Sequence, residues 1–385
     1  MSVWFDVVGQ EPVVAELRVA VAGAADQLSG QAGTGMTHAW LFTGPPGSGR
    51  STAASAFAAA LQCATGGCGS CPACHTALAG SSADVRVVRT ERLSISVNEA
   101  RALVAEAARH PVGGRWLVIV VEDADRLTEQ AANALLKAME EPTPRTVWLL
   151  CAPALEDVLP TVRSRCRHVR LRTPPPAAVA EVLVRRDGVD PTMAHFCARA
   201  SQGHIGRARR LATDEQARRR RHEALQLPAR LRGVGDCLTA AANLVEAAKE
   251  EAAAASAELD EPETAELARA LGAGTPGRGL PAGAAPALRE LERAQSARGK
   301  RLQRDALDRY LVDLASLYRD VLAAQVGAGV PLVNDELLPM VTALAGVSAA
   351  ADTLRRIDAV LACRDAIDAN VAPLLAVEAM TLGLR

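Results

Sequence analysis

The segment Thr43-Gly44-Pro45-Pro46-Gly47-Ser48-Gly49-Arg50-Ser51 carries three glycines, a cation and a hydroxyl in the order of the phosphate-cradling pattern G-x-x-x-x-G-K-[ST], with Arg50 where that pattern has lysine. Glycines let main-chain N–H groups wrap an anion, and a following helix adds the positive end of its dipole. The apolar run Ala39-Trp40-Leu41-Phe42 before it and the Ala-rich stretch to Leu61 after it predict strand, loop, helix. Ser51 stands where a hydroxyl would hold Mg²⁺. A lysine would put a compact charge between phosphates, whereas Arg50 is a larger planar fork, so binding survives the change better than catalysis does. A second polar group follows the apolar run Trp116–Val121, in Glu122-Asp123. An Asp-Glu pair there would serve Mg²⁺ and the attacking water. With the order inverted, each carboxylate is one methylene wrong for its task, unless both are only solvated loop acids.

Cys63, Cys68, Cys71 and Cys74 fall within twelve positions, with four, two and two residues between them. Four thiols so close suit a tetrahedral Zn–S₄ site, with an iron–sulfur cluster as the rival and His75 as a possible substitute for one thiol. Cys151, Cys166, Cys197, Cys237 and Cys363 are scattered and read as buried small apolar residues. Arg163, Arg165 and Arg167 lie at the mouth of an expected fifth strand, His168–Arg172. An arginine there can reach a neighbouring subunit's γ-phosphate or be part of a solvated basic patch. The run Arg218–Arg221 reads as a solvated helix face.

These groups need a frame. Strands at Val85–Val88, 116–121 and 147–151, separated by helices at 97–110 and 128–141, predict a parallel sheet covered on both faces. Pro174-Pro175-Pro176 ends that pattern, and short helices to about residue 215 suggest a helical lid. The last third shows no strand signal, and Leu307, Tyr310, Leu311, Leu314, Leu317, Tyr318 and Val321 mark an amphipathic helix. The Ala/Glu run and the Gly/Pro-rich stretch Gly272–Gly283 read as a flexible insertion around 250–298. The expected architecture is α/β plus α. It has a five-stranded parallel P-loop domain (1–175, with the cysteine module at 63–75), a lid (176–222) and an all-helical domain (223–385).

With 43 basic and 44 acidic side chains the formal net charge is −1, so no whole-chain field calls for nucleic acid. No stretch reaches the roughly 20 apolar residues of a membrane span, and Met1–Asp6 lacks a secretory signal pattern, so a cytoplasmic address without disulfides is expected.

Val8-Gly9-Gln10, Gly44–Ser51, the inserted cysteines, Asn133–Pro142 (with Leu135-Leu136-Lys137-Ala138-Met139-Glu140-Glu141-Pro142) and Ser164-Arg165-Cys166 together resemble bacterial AAA+ clamp-loader subunits, above all the delta-prime family of DNA polymerase III. The resemblance covers residues 1 to about 215, and more loosely a collar-like C-terminal third. It implies that Arg165 is an arginine finger acting in trans, that Cys63, Cys68, Cys71 and Cys74 bind structural zinc, and that Gly206 replaces a phosphate-sensing arginine, with Arg207 one step off. It further implies a rigid stator whose own site, Gly44–Ser51 with Glu122 and Asp123, holds ATP or ADP with Mg²⁺ at most without efficient hydrolysis. The implied partners are gamma/tau motor and delta subunits in a hetero-pentameric ring, with the sliding clamp and primed DNA reached through the complex. An ATP-hydrolysing gamma/tau-like motor is the alternative, and a zinc-dependent nucleic-acid-binding protein a third reading.

Overall fold

The computed structural model describes residues 2–90, 94–113, 115–271 and 284–385, which divide into two compact units, Met1–Thr213 and Asp214–Arg385. The first unit is built on five parallel strands, β1 (Ala39–Thr43), β2 (Val85–Val88), β3 (Leu117–Val121), β4 (Thr146–Ala152) and β5 (Arg167–Arg170), in the order β2-β3-β4-β1-β5. Every residue of β1, β3 and β4 is buried, which is why these segments read as unbroken apolar runs. Alternation sends Trp40 and Phe42 into the core shared with α1 (Glu11–Leu28) and α2 (Arg50–Gln62), where Trp40 meets Phe57 edge-on at 5.1 Å. Leu41, Ile119, Trp148 and Leu150 face the opposite core.

Helix α3 (Pro72–Leu78) follows the cysteine loop. The second core is closed by α4 (Val97–Ala107), with its Ser96–Glu99 capping box, and by α5 (Glu129–Glu140), capped by Thr128. A single turn, α6 (Pro160–Arg163), leads into β5. The lid consists of α7 (Pro176–Asp187), α8 (Pro191–Ala200) and α9 (Ile205–Thr213). The resulting arrangement puts the ends of β1, β3, β4 and β5 on one rim, where ligands of open parallel sheets sit.

The second unit is all helical: α10 (Glu215–Leu225), α11 (Val234–Ala270), α12 (Ala284–Gln325), α13 (Leu338–Val347), α14 (Ala350–Asp368) and α15 (Pro373–Gly383). The amphipathic series Leu307 to Val321 is buried at every position named from the sequence. Two expectations change here. The Ala/Glu run is not a flexible insertion: α11 continues through it for 37 residues, because Ala and Glu are strong helix formers and Arg298 of α12 bonds Glu263 at 3.0 Å. Residues 272–283 of the expected insertion lie outside the described residues. Nor is Arg218–Arg221 all solvated. One residue in four consecutive helical positions faces inward, and Arg221 is 5% exposed, bonded to Asp313 at 3.1 Å, Glu336 at 2.6 Å and Asn334. That anchoring places α10 in the second unit, so the division falls at 213/214, earlier than the expected 222/223. Helix α13 was not anticipated. Among the described residues, no single helix is long and apolar enough to cross a membrane.

Candidate functional site

The glycine loop leaves β1 at the rim and enters α2 with Gly47 at φ 84° and Gly49 at φ 88°, conformations that side-chain-bearing residues rarely adopt. It is stitched to both flanking strands. Gly44 N–H donates to Pro153 O at 3.1 Å beyond β4, and Leu171 N–H donates to Thr43 O at 2.7 Å beside β5. Buried Gln10 adds a clamp: its Nε2 donates to Ser48 O at 3.2 Å and to Arg172 O at 2.6 Å, while its Oε1 accepts from Arg172 N–H. The lid closes from above, and a Cβ on Gly47 would stand 2.4 Å from the Cα of His204. Neither Gln10 nor His204 was given a role from sequence. Gln10 stood inside a recognised triplet, but its partners are fixed only by the tertiary fold.

The loop retains features of an anion cradle. Ser48 Oγ is buried without a hydrogen-bond partner, and a Cβ at Gly49 would meet nothing within 4 Å. Ser51 sits in the first turn of α2, whose N–H groups have no partners within the helix. The cation is the exception. Arg50 Nη1 turns back and donates to Gly44 O, the carbonyl at the start of its own loop. Burial draws its pKa below the arginine range, against the fields of Cys151, Asp125, Asp123 and Asp157 that raise it. The acidic pair at the end of β3 is engaged elsewhere: Glu122 Oε2 accepts from Arg89 Nε at 2.8 Å, and Asp123 Oδ2 from Thr90 N–H at 3.4 Å. Gly206, in the first turn of α9, presents no side chain to a phosphate. The loop residues fit a phosphate group, while Arg50 and Glu122 are bonded to partners of their own chain.

The four cysteines converge. The Sγ atoms of Cys63, Cys68, Cys71 and Cys74 all lie within 4.8 Å of one another, with Cys63–Cys68 at 3.7 Å and Cys71–Cys63 at 3.8 Å. Zn–S bonds of ~2.3 Å in a tetrahedron require sulfurs ~3.8 Å apart, so the set fits one metal ion. Exposed His75 lies outside it. Main-chain N–H groups of Cys68, Gly69 and Cys74 each point at a sulfur at 3.4 Å. Main-chain and hydroxyl hydrogen bonds from Ser70 lower the Cys68 thiol to about 5. At Cys63 burial opposes ionisation, but Thr65 and neighbouring N–H groups bring the thiol down to about 7. Burial pushes Cys74 up to about 12.

The three arginines at the mouth of β5, the last of them its first residue, differ sharply. Arg163 closes α6. Arg167 is structural: its Nε donates to Glu16 at 2.8 Å, its Nη1 to Gly35 O at 2.9 Å, and its guanidinium lies 5.0 Å over Trp40. Arg165 stands at the rim on side-chain and carbonyl partners of its own chain, Glu140, Thr161 and Ser164. Arg170 and Arg172 are exposed while Val169 and Leu171 are buried, as alternation requires.

With this geometry in hand, comparison with known proteins gives a consistent answer for the first unit. A family model described as DNA polymerase III, delta subunit, matches residues 8–175. The delta' subunit of DNA polymerase III from Pseudomonas aeruginosa is 38% identical over 165 residues, 41% of this chain and 50% of that protein. The Bacillus subtilis delta' subunit is 30% identical over 195 residues, 50% of this chain and 59% of that protein. The gamma/tau subunit of Mycobacterium tuberculosis is 36% identical over 185 residues, 47% of this chain and 30% of that protein. The chain thus spans between about a third and three fifths of the length of these relatives. Among solved structures, a DNA polymerase III gamma subunit-related protein from Thermotoga maritima aligns over 95% of this chain and 98% of that one at 14% identity and a TM-score of 0.36. RuvB from the same organism aligns over 56% of this chain and 64% of that one at 19% identity and a TM-score of 0.39.

Proposed function

We propose that this chain, delta-prime-like over the matched segment, is a structural subunit of a bacterial DNA polymerase III clamp loader, whose neighbours hydrolyse ATP to load the sliding clamp on primed DNA. In this reading Arg165 reaches the γ-phosphate of an adjacent gamma/tau-type motor subunit, and a delta-type subunit completes a hetero-pentameric cytoplasmic ring. The observation that carries it is the state of the chain's own cleft: Arg50 is bonded to Gly44 O rather than set to bridge phosphates, and Glu122 is bonded to Arg89. ATP or ADP with Mg²⁺ would be held by the N–H groups of Gly47, Gly49, Arg50 and Ser51 and the Ser51 hydroxyl, without efficient turnover. Cys63, Cys68, Cys71 and Cys74 would hold structural zinc, which supplies a four-armed cross-link between the end of α2 and α3.

The test is reconstitution with motor and delta-type subunits. Arg165→Ala should leave assembly intact and lower turnover at the adjoining site, by about 10³-fold if the guanidinium works as fingers do elsewhere. Rapid ATP hydrolysis by the purified chain alone, abolished by Ser51→Ala, would instead establish the motor reading favoured by the gamma/tau similarity.

A further inference from the structure

Arg165 is the residue on which the proposed function turns, and its surroundings say more than its position. A guanidinium has five N–H donors. Here Nε donates to Glu140 Oε1 at 2.8 Å and Nη2 to the same oxygen, while Nη1 donates to Thr161 O at 2.6 Å and to Ser164 Oγ at 3.2 Å. Four donors are therefore committed within the chain, and one on Nη2 remains. A fork holds a phosphate through two parallel N–H···O bonds, which one remaining donor cannot supply. Glu140 is the final residue of α5, so its carboxylate adds to the negative end of that helix and draws the cation toward the rim.

We infer that Glu140 is a tether for Arg165: it holds the guanidinium in the unassembled chain and must release its two N–H groups before Arg165 can grip a neighbour's phosphate. This rests on the finger reading above and adds to it a carboxylate that competes with the nucleotide for the same donors. The strength is suited to an exchange. The side chains are 31% and 47% exposed, so the pair is weak, and a phosphate carrying more charge displaces the carboxylate. Thr161 O and Ser164 Oγ remain to steady Nη1 while the other edge turns outward. Glu140 is thus a positioning residue, and the motor subunit's nucleotide state decides which anion Arg165 holds.

Two measurements separate the tether from the finger. In the full-length chain alone, the rate at which phenylglyoxal modifies Arg165, followed by mass spectrometry, should rise about twofold to fivefold in Glu140→Gln, the range set by an exposed ion pair. An unchanged rate overturns the tether. In the reconstituted complex, Glu140→Gln should lower the ATP concentration for half-maximal turnover by a similar factor, and the effect should vanish in an Arg165→Ala background. A purely structural contribution of Glu140 would not depend on Arg165. If Arg165→Ala lowers turnover while Glu140→Gln raises the half-saturating concentration or leaves it unchanged, the carboxylate does not compete and the handover is wrong. If Arg165→Ala leaves turnover untouched, the finger reading fails and the handover with it, and the phenylglyoxal rate alone judges the tether.

Discussion

Arg50 is the side chain on which the proposed loss of hydrolysis in the chain's own cleft turns. Its Nη1 donates back to Gly44 O, a bond the planar fork makes and the compact ammonium of a lysine need not. Arg50→Lys should therefore free the loop and tighten binding of a fluorescent ADP analogue, by roughly tenfold, one strong charge-assisted contact. Hydrolysis should stay absent in that variant, because Glu122 remains held by Arg89 and is the longer acid where a shorter one is needed. Turnover in Arg50→Lys alone would show that the inverted pair is competent. The glycine loop and the convergence of the cysteines were legible because each lies within a short stretch and depends on residue type and spacing. What the sequence withheld is where each side chain turns. Nothing local to position 50 announces Gly44 O, nothing local to 122 announces Arg89, and Arg163 and Arg165 look alike until Glu140 is beside one of them.

At the level of elements, the cysteine loop joins the end of α2 to α3 through sulfurs that are unequal before any metal binds. Hydrogen bonds from Ser70 favour the thiolate of Cys68, whereas burial favours the protonated thiol of Cys74, which must give up its proton to become a ligand. Zinc loading at neutral pH therefore releases protons, and the apparent affinity should climb between about pH 6 and pH 8 in competition with a chromophoric chelator. A flat profile would mean that no thiol protonated in this range gives up its proton to the metal. Cys68→Ser should lower the affinity and make thermal unfolding of the first unit insensitive to chelation. The sheet elements were foreseeable to within a residue or two because β1, β3 and β4 are buried throughout and apolar at all but a terminal threonine in β1 and β4. The continuation of α11 through the Ala/Glu run and the early turns of α12 were not: low sequence complexity looks the same whether the helix is unpartnered or, as here, keyed by a buried arginine to Asp260 and Glu263.

For the molecule as a whole, the second unit depends on charges the chain keeps dry. Asp313 is 3% exposed at its side chain and faces Arg221, so Arg221→Ala would take a guanidinium partner from a buried carboxylate. The expected loss is about 3–5 kcal/mol, read as a lower denaturant midpoint for the transition of the second unit, with the first unit's transition unmoved. A change below about 1 kcal/mol would mean that water reaches Asp313. The two-part layout was legible from where strands cease. The boundary was not, since it is fixed by partners of Arg221 that lie about a hundred residues downstream. The Gln10 clamp has a consequence in time as well as space. Chains are made from the N-terminus, and the clamp's second anchor, the Arg172 carbonyl, lies 162 residues after the glutamine that holds it. The glycine loop, among the first pieces to leave the ribosome, is among the last of its unit to be set.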